Sequence, residues 1–258
     1  MDLKESRAAM RQNTRSTMLT IILIGLSAAM AATSVPTLAA DKVDRTVLPI
    51  PEPKYPHSTV FDVRNATPPP RFEVKAPINA PNVLIVLIDD MGFGQSSAFG
   101  GPIHMLTVER LANEGLRYNH FHTTALCSPT RAALLSGRNH HTNNMGSITE
   151  TATAFPGQTG RRPNNVAPLA EMLRLNGYST AAFGKSHETA AWELSPSGPT
   201  DRWPTRSGFD KFYGFIGGEA NQWAPLIYDG MVQVESSKDL NYNFMSARWV
   251  GSVTSAQK

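Results

Sequence analysis

Among the residues that could do chemistry, Cys127 stands out because it is the single cysteine in 258 residues. A lone cysteine excludes an intrachain disulfide and a zinc-finger framework. Pro129, two residues later, predicts the start of a helix that runs to Ser136 and stops at Gly137. A helix N-terminus favours an anion, so a thiolate nucleophile is one interpretation of Cys127. The other is an inert buried thiol, since free cysteine is among the most buried residue types.

Two adjacent acids, Asp89 and Asp90, follow an unbroken apolar run at residues 83–88. Such a run predicts a strand buried on both faces, and open α/β sheets bind ligands beyond the carboxyl ends of their strands. Paired carboxylates are hard oxygen donors, which favour Ca²⁺ or Mg²⁺ over zinc. The alternative is that the two acids only cap a turn or a helix.

Lys185 and His187 follow another predicted strand, at residues 178–183. Side chains two residues apart on an extended segment share a face, so both can reach one site. The alternative is a solvated pair beside a loop. Two further histidines, His120 and His122, are expected to be strand or site-wall residues rather than metal ligands.

The segment at residues 127–138, CSPTRAALLSGR, resembles the signature of the sulfatase family, Cys-x-Pro-Ser/Thr-Arg with a Leu-Ser/Thr-Gly ending. The resemblance implies that a formylglycine-generating maturation enzyme oxidises Cys127 to an aldehyde. Its hydrate carries two hydroxyl groups, one to attack sulfur and one to collapse and expel sulfate. Asp89 and Asp90 resemble the metal-binding pair of the family. Together with the modified Cys127 they would bind the cation, for which the resemblance favours Ca²⁺, with Mg²⁺ as the alternative.

The same resemblance implies roles for three more residues. Arg131 would stabilise an oxyanion or orient the nucleophile, Lys185 would neutralise sulfate charge, and His187 would help to deprotonate the second hydroxyl group. The short element around Lys185 departs from the family at Ser186 and Glu188, where relatives often carry an aromatic residue and then Leu-Gly.

The activity that the resemblance implies is hydrolysis of sulfate esters by an arylsulfatase-type enzyme with a small-molecule substrate. One alternative is a phosphate or phosphonate ester hydrolase of the same superfamily. A second is a non-catalytic remnant. The aromatic residues between 192 and 215 could line an aryl pocket, although core packing explains them equally well.

The elements that must position these residues alternate along the chain. Helices are predicted at residues 107–115, 129–136 and 166–176, the last with Asn165 as its N-cap, and strands at 83–88, 116–123 and 178–183. This alternation predicts an α/β domain. The resemblance implies an alkaline-phosphatase-like mixed, mostly parallel sheet with helices on both faces. Residues 192–218 are expected to form loops, and residues 231–258 to contribute no strand or helix.

Composition and the first 80 residues limit the remaining possibilities. The chain is 41% hydrophobic, and its net charge of +3 includes no long basic run interleaved with aromatics, so nucleic-acid binding is not expected. Residues 1–40 have a basic start and an apolar stretch at 18–32, too short for the roughly 20 residues of a spanning helix. They predict a signal peptide and a periplasmic or secreted protein; the alternative is a membrane anchor at 18–32. Residues 41–80 are rich in proline and predict an extended arm.

Residues 81–258 are interpreted as the N-terminal part of a sulfatase catalytic domain. Members of the family are longer, and they supply an Asp-Asn pair, a histidine and a further lysine that have no match here before Lys258. We therefore expect a truncated fold with an incomplete site, and little activity from this chain alone.

Overall fold

The structure, a computed structural model, describes residues 43–55 and 57–234 together with the backbone of residues 252–257. The predicted signal peptide at 1–40 lies outside these ranges. Within them, no helix is long and apolar enough to cross a lipid bilayer.

Within the described residues, three α-helices form: α1 at Leu106–Glu114, α2 at Cys127–Ser136 and α3 at Leu169–Leu175. The predicted ends of α1 and α2 are confirmed, because Gly115 and Gly137 occupy the C-cap positions. The start of α3 was predicted three residues too early, with Asn165 as its N-cap. Pro168 is the N-cap instead. The residue before it, Ala167, is disfavoured in helical conformation because a proline follows, so the helix begins only after the proline.

The part of the chain that the structure describes contains six strands in one sheet: β1 at Val83–Val86, β2 at Tyr178–Lys185, β3 at Lys211–Phe215, β4 at Ile227–Asp229, β5 at Val232–Val234 and β6 at Ser252–Gln257. The prediction of loops throughout 192–218 is wrong at β3, and the prediction of no strand in 231–258 is wrong at β5 and β6. The strand predicted at residues 116–123 does not form. Its residues are exposed and pair with no strand of the described sheet, so alternation alone did not make a strand there.

The strand order is β1-β6-β2-β3-β4-β5, and only β2 and β3 are parallel. The α/β class and the mixed sheet are confirmed, but the parallel share is smaller than expected. One reason is that β6 lies antiparallel between β1 and β2. Another is that the two-residue connection from β4 to β5, through Gly230 in a left-handed conformation, permits only an antiparallel hairpin.

The core covers one face of this sheet. Ile85 of β1, Ala182 of β2 and the helix residue Ala170 pack together with Phe209, and Leu135 of α2 joins them. A neighbouring cluster adds Trp203, Phe212, Ile216 and Tyr228. Several of the aromatic residues considered for an aryl pocket therefore belong to the core.

The opposite face carries exposed apolar side chains, among them Leu84 and Val86 of β1 and Phe183 of β2. The predictions that β1 is buried on both faces and that helices cover both faces are therefore not met by the described residues. The reason is that α2 and α3 pack on the same face, and α1 has no buried residue.

Residues of the proline-rich segment before β1 contact the C-terminal end of α3. The guanidinium of Arg45 donates to the carbonyl oxygen of Asn176 at 2.9 Å and to that of Lys75 at 2.6 Å. Gly177 lies against the backbone of Lys75 and Ala76 in a left-handed conformation, where a Cβ atom would come within 2.3 Å of Lys75. The turn before β2 thus requires glycine.

Candidate active site

The cysteine of the signature lies at the first turn of α2. Cys127 is half-buried and is the first helical residue, so the helix begins two residues earlier than Pro129 predicted. It lines a cavity of about 340 Å³ together with Asp89, Asp90 and Arg131. The structure therefore places the predicted nucleophile and the predicted metal-binding pair on one cavity.

Arg131, one turn further along α2, connects the helix to the ends of two strands. Its side chain is almost completely buried, and Nη1 donates to the carbonyl oxygen of Lys185 at 2.7 Å. Nη2 lies 3.4 Å from Oδ1 of Asp89. The guanidinium thus holds the N-terminal turn of α2 against the residues that follow β1 and against the end of β2.

Lys185 reaches the same carboxylate from β2. Its ammonium donates to Oδ2 of Asp89 at 2.7 Å, and both side chains are buried. Burial opposes ionisation of Asp89, but the hydrogen bond and charge of Lys185, with the charge of Arg131, keep the pKa of Asp89 below its usual range. Two cations and one carboxylate therefore form a buried ionic cluster.

Asp90 differs from its neighbour in conformation and exposure. It is exposed and adopts a left-handed conformation with φ of 53°. It lines the cavity of Cys127 and also a second cavity of about 100 Å³, which Lys185, Gly218 and Asn221 line as well. Asp89 lines both cavities too, so the two acids form part of both walls.

The donor set of the predicted metal site is incomplete in the described part of the chain. Two adjacent carboxylates are suitable donors for a hard divalent cation, which in the case of Ca²⁺ takes about six to eight oxygens. Within the described ranges, however, no cluster of three or more histidine, cysteine or acidic residues could hold a metal ion. Asp89 and Asp90 can therefore supply only part of a coordination shell.

His187 is brought to the end of β2 but does not line the cavity of Cys127. The residue is 2% exposed, and Nε2 contacts the carboxylate of Glu150 at 2.8 and 3.0 Å. Burial lowers the pKa of His187, Glu150 raises it, and the charges of Lys185 and Arg131 lower it further, so the pKa is below its usual value. Glu150 was not predicted from the sequence, because no local sequence pattern relates it to His187, 37 positions further along the chain.

Three other titratable residues are Glu188, which follows His187, and the two histidines at positions 120 and 122. Glu188 is half-buried, and burial raises its pKa despite the nearby charges of Arg162 and Arg131. His120 and His122 are exposed and are not brought to the described site.

The fold and the site define an α/β protein that gathers a cysteine, two acids and two cations around two cavities that share Asp89 and Asp90. A family model described as Sulfatase matches residues 81–248, and the chain belongs to that family. It is 38% identical over 160 residues to an uncharacterized sulfatase of Schizosaccharomyces pombe, covering 59% of this chain and 27% of that protein.

Two relatives with more specific names are similar over a comparable region. An arylsulfatase of Klebsiella aerogenes is 29% identical, with 59% of this chain and 32% of that protein covered. Human steryl-sulfatase is 34% identical, with 52% and 23% covered. The match thus spans about a quarter to a third of these relatives' length. Among solved structures, the crystal structure of Ps i-CgsB gives a TM-score of 0.38 at 25% identity, over 54% of this chain and 28% of that one.

Proposed function

We propose that the protein containing this chain hydrolyses sulfate esters, with aryl sulfates as the substrate class, through a formylglycine made from Cys127. The observation that carries the proposal is the convergence of Arg131 and Lys185 beside the cavity that Cys127 lines. A signature cysteine at a helix N-terminus, next to two buried cations, suits an anionic ester.

In the proposed reaction, the cationic residues would stabilise charge and the histidine would transfer a proton. Arg131 and Lys185 are fixed before substrate arrives, so stabilising a sulfate group requires little reorganisation. The modified Cys127, when present, supplies one hydroxyl group to attack sulfur and a second whose deprotonation expels sulfate. His187, at the end of β2, is the base that we propose to take that proton.

The charges of the cluster also support a divalent cation. Asp89 and Asp90 carry two negative charges, which cancel the positive charges of Arg131 and Lys185, so the four residues alone offer no net attraction to an anion. We propose that Asp89, Asp90 and the modified Cys127 contribute ligands to Ca²⁺, with Mg²⁺ as the alternative. The cation would restore positive charge and act as a Lewis acid.

Two further proposals concern the maturation and the location of the protein. The signature implies a formylglycine-generating enzyme as a transient partner, which must have access to the segment around Cys127. The basic and apolar pattern of residues 1–40 supports export to the periplasm or the medium.

Modification of Cys127 is the first test. The chain would be co-expressed with a formylglycine-generating enzyme, and the peptide containing Cys127 would be analysed by mass spectrometry, with Cys127→Ala as the control. We expect an aldehyde in place of the thiol. Only unmodified thiol under these conditions would contradict the proposal.

Substrate class is the second test. The full-length protein that contains this chain, matured at Cys127 and supplied with Ca²⁺, would be assayed on an aryl sulfate and on an aryl phosphodiester. Faster hydrolysis of the sulfate supports the proposal. Faster hydrolysis of the phosphodiester would instead assign the protein to the phosphoester branch of the superfamily.

A further inference from the structure

His187 is held by a partner whose role the family signature does not describe. The Nε2 atom of the ring lies 2.8 Å from one oxygen of Glu150 and 3.0 Å from the other. An ionised carboxylate can only accept hydrogen bonds, so Nε2 must carry the hydrogen. In a neutral imidazole, the other nitrogen, Nδ1, then has a free lone pair.

The surroundings of Nδ1 favour the neutral ring. Nδ1 is buried and has no hydrogen-bond partner in the described structure. The charged groups that act on the ring are Glu150 on one side and Lys185 and Arg131 on the other, and the two cations disfavour a protonated imidazole. A purely structural histidine at this depth would be expected to have both nitrogens paired. Here one nitrogen is paired and the other remains available.

The position of Glu150 is coupled to the helix that carries the cysteine. Glu150 lies in a 3₁₀ turn at Thr149–Thr151. The backbone amide of Thr149 donates to the hydroxyl of Ser128, the residue after Cys127, at 3.4 Å. A shift of the first turn of α2 would therefore be transmitted to Glu150 and through it to His187.

The backbone on the other side of the ring is equally constrained. The amide of His187 donates to the carbonyl oxygen of Ile216 at 3.0 Å, although the residue adopts a left-handed φ of 53°. Gly218 has no side chain, and the space beside its Cα atom is occupied by His187 and Glu150. A Cβ atom there would lie 2.7 Å from Nε2 of His187 and 2.8 Å from Oε1 of Glu150. Strain and a required glycine together indicate that this ring orientation is maintained at a cost.

We propose that Glu150 is a positioning residue that fixes His187 as the Nε2–H tautomer and so makes Nδ1 the proton acceptor of the site. The inference rests on the proposed function, since the proton comes from a hydroxyl group of the hydrated formylglycine. As Nδ1 takes that proton, the O–H electrons form the C=O bond of the aldehyde. The carbon–oxygen bond to the sulfate group breaks, and sulfate leaves with the electron pair.

The tautomer can be measured on the chain without any turnover. In protein labelled with ¹⁵N-histidine, the His187 signals are assigned from their loss in His187→Gln. We expect a protonated Nε2 and an unprotonated Nδ1 in the wild type. Glu150→Gln keeps an acceptor oxygen and should keep this tautomer, whereas Glu150→Ala should lose the preference. The same tautomer in Glu150→Ala as in the wild type would overturn the inference.

Gly218→Ala approaches the same pair from its other side. It should disturb the Nε2 signal as Glu150→Ala does, because the added methyl group occupies the space of the ring and the carboxylate. Gly217→Ala is the matched control, since its Cβ would approach nothing closer than Leu194 Cδ1 at 3.7 Å. Equal spectra for the two alanine variants would contradict the geometry on which the inference stands.

Kinetics distinguish positioning from mere structure. In the full-length protein that contains this chain, with Cys127 matured and Ca²⁺ supplied, Glu150→Ala should lower kcat for an aryl sulfate by about tenfold to a hundredfold, with KM little changed, and Glu150→Gln should recover part of the loss. Unchanged kcat in Glu150→Ala, with the fold confirmed by thermal unfolding, would overturn the inference. Absence of turnover in the matured wild type would contradict the proposed function instead, and the tautomer measurement would then decide the role of Glu150.

Discussion

Asp89 is the residue on which the two buried cations of the site converge. One carboxylate oxygen contacts Lys185 and the other contacts Arg131, so neither oxygen is left to solvent alone. Because the three side chains are nearly excluded from water, their charges are only weakly screened. The carboxylate therefore contributes to stability and holds the two cations at the ends of β1 and β2.

Replacing Asp89 by asparagine should be costly to the fold. Asp89→Asn leaves two buried cations without their shared counter-charge, and we expect the free energy of unfolding to fall by roughly 2–4 kcal/mol. Urea unfolding followed by circular dichroism measures the change. The control is Glu171→Gln, which removes an exposed ion pair with Arg174 and should cost about 0.5 kcal/mol or less. Equal losses in the two variants would show that the buried cluster contributes nothing special.

Acidification should destabilise the protein through His187. Its folded pKa is below the usual value of 6.5, so the unfolded chain binds a proton that the buried ring resists. The contribution of the neutral ring to the free energy of unfolding is complete above about pH 6.5. It is lost as the pH falls from there through the depressed folded pKa, by at most about 1.4 kcal/mol per pH unit. Glu150 makes this loss smaller because it raises the pKa of His187, whereas the charges of Lys185 and Arg131 lower that pKa and make the loss larger.

The measurement is urea unfolding at a series of pH values from about 7 to about 5. His187→Gln should flatten the dependence on pH. His104→Gln is the control, because His104 is exposed and its replacement should leave the slope unchanged. Identical slopes in the wild type and in His187→Gln would contradict the assignment of this loss to His187.

At the scale of elements, the parallel pair β2–β3 aligns the cationic end of the site. Gly184 lies opposite Gly214 in the register, and a Cβ atom on Gly214 would come within 1.9 Å of the carbonyl oxygen of Gly184. Past the strands, the amide of Ser186 donates to the carbonyl oxygen of Phe215 at 3.0 Å, so the pairing continues up to His187. Close approach of the two backbones therefore controls where Lys185 and His187 lie.

A methyl group at this crossing should separate the strands. Gly214→Ala is expected to lower the free energy of unfolding by about 2 kcal/mol or more, because backbone on the facing strand cannot move aside easily. Thermal unfolding would measure the loss. Gly94→Ala, with nothing within 4 Å of its Cβ, should behave like the wild type. A stable Gly214→Ala variant would contradict the observed register.

At the scale of the whole molecule, strand β6 joins parts of the sheet that are distant in sequence. It pairs with β1 on one side and β2 on the other, both antiparallel. Without it, the strand that precedes Asp89 and the strand that carries Lys185 would share no hydrogen-bonded neighbour in the described sheet. The sheet therefore depends on a segment that lies far from the signature.

Hydrogen exchange tests this arrangement directly. Amides at residues 253–256 should exchange more slowly than those at 116–123, because a strand paired on both sides protects its amides and an exposed irregular segment does not. Exchange followed by mass spectrometry resolves the two segments. Equal rates would contradict a central position for β6.

Much of the local structure could be predicted from short-range signals. Gly137 ends α2 where expected because glycine readily adopts the left-handed C-cap conformation. The apolar run at 83–88 does form a strand, although the strand ends at Val86, and its expected burial on both faces is not observed. Burial depends on which helices pack on each face, and α2 and α3 both pack on the face of Ile85.

The residue types and their spacing by themselves determined the chemistry expected of this protein: a cysteine at a helix N-terminus, a pair of acids after a strand, and a lysine and histidine that share a face. The tertiary structure alone decided which of these meet. Lys185 contacts Asp89 across 96 positions of chain, and Glu150 orients His187 across 37. No local pattern encodes such contacts, because they arise only when separate strands and turns are packed together around one core.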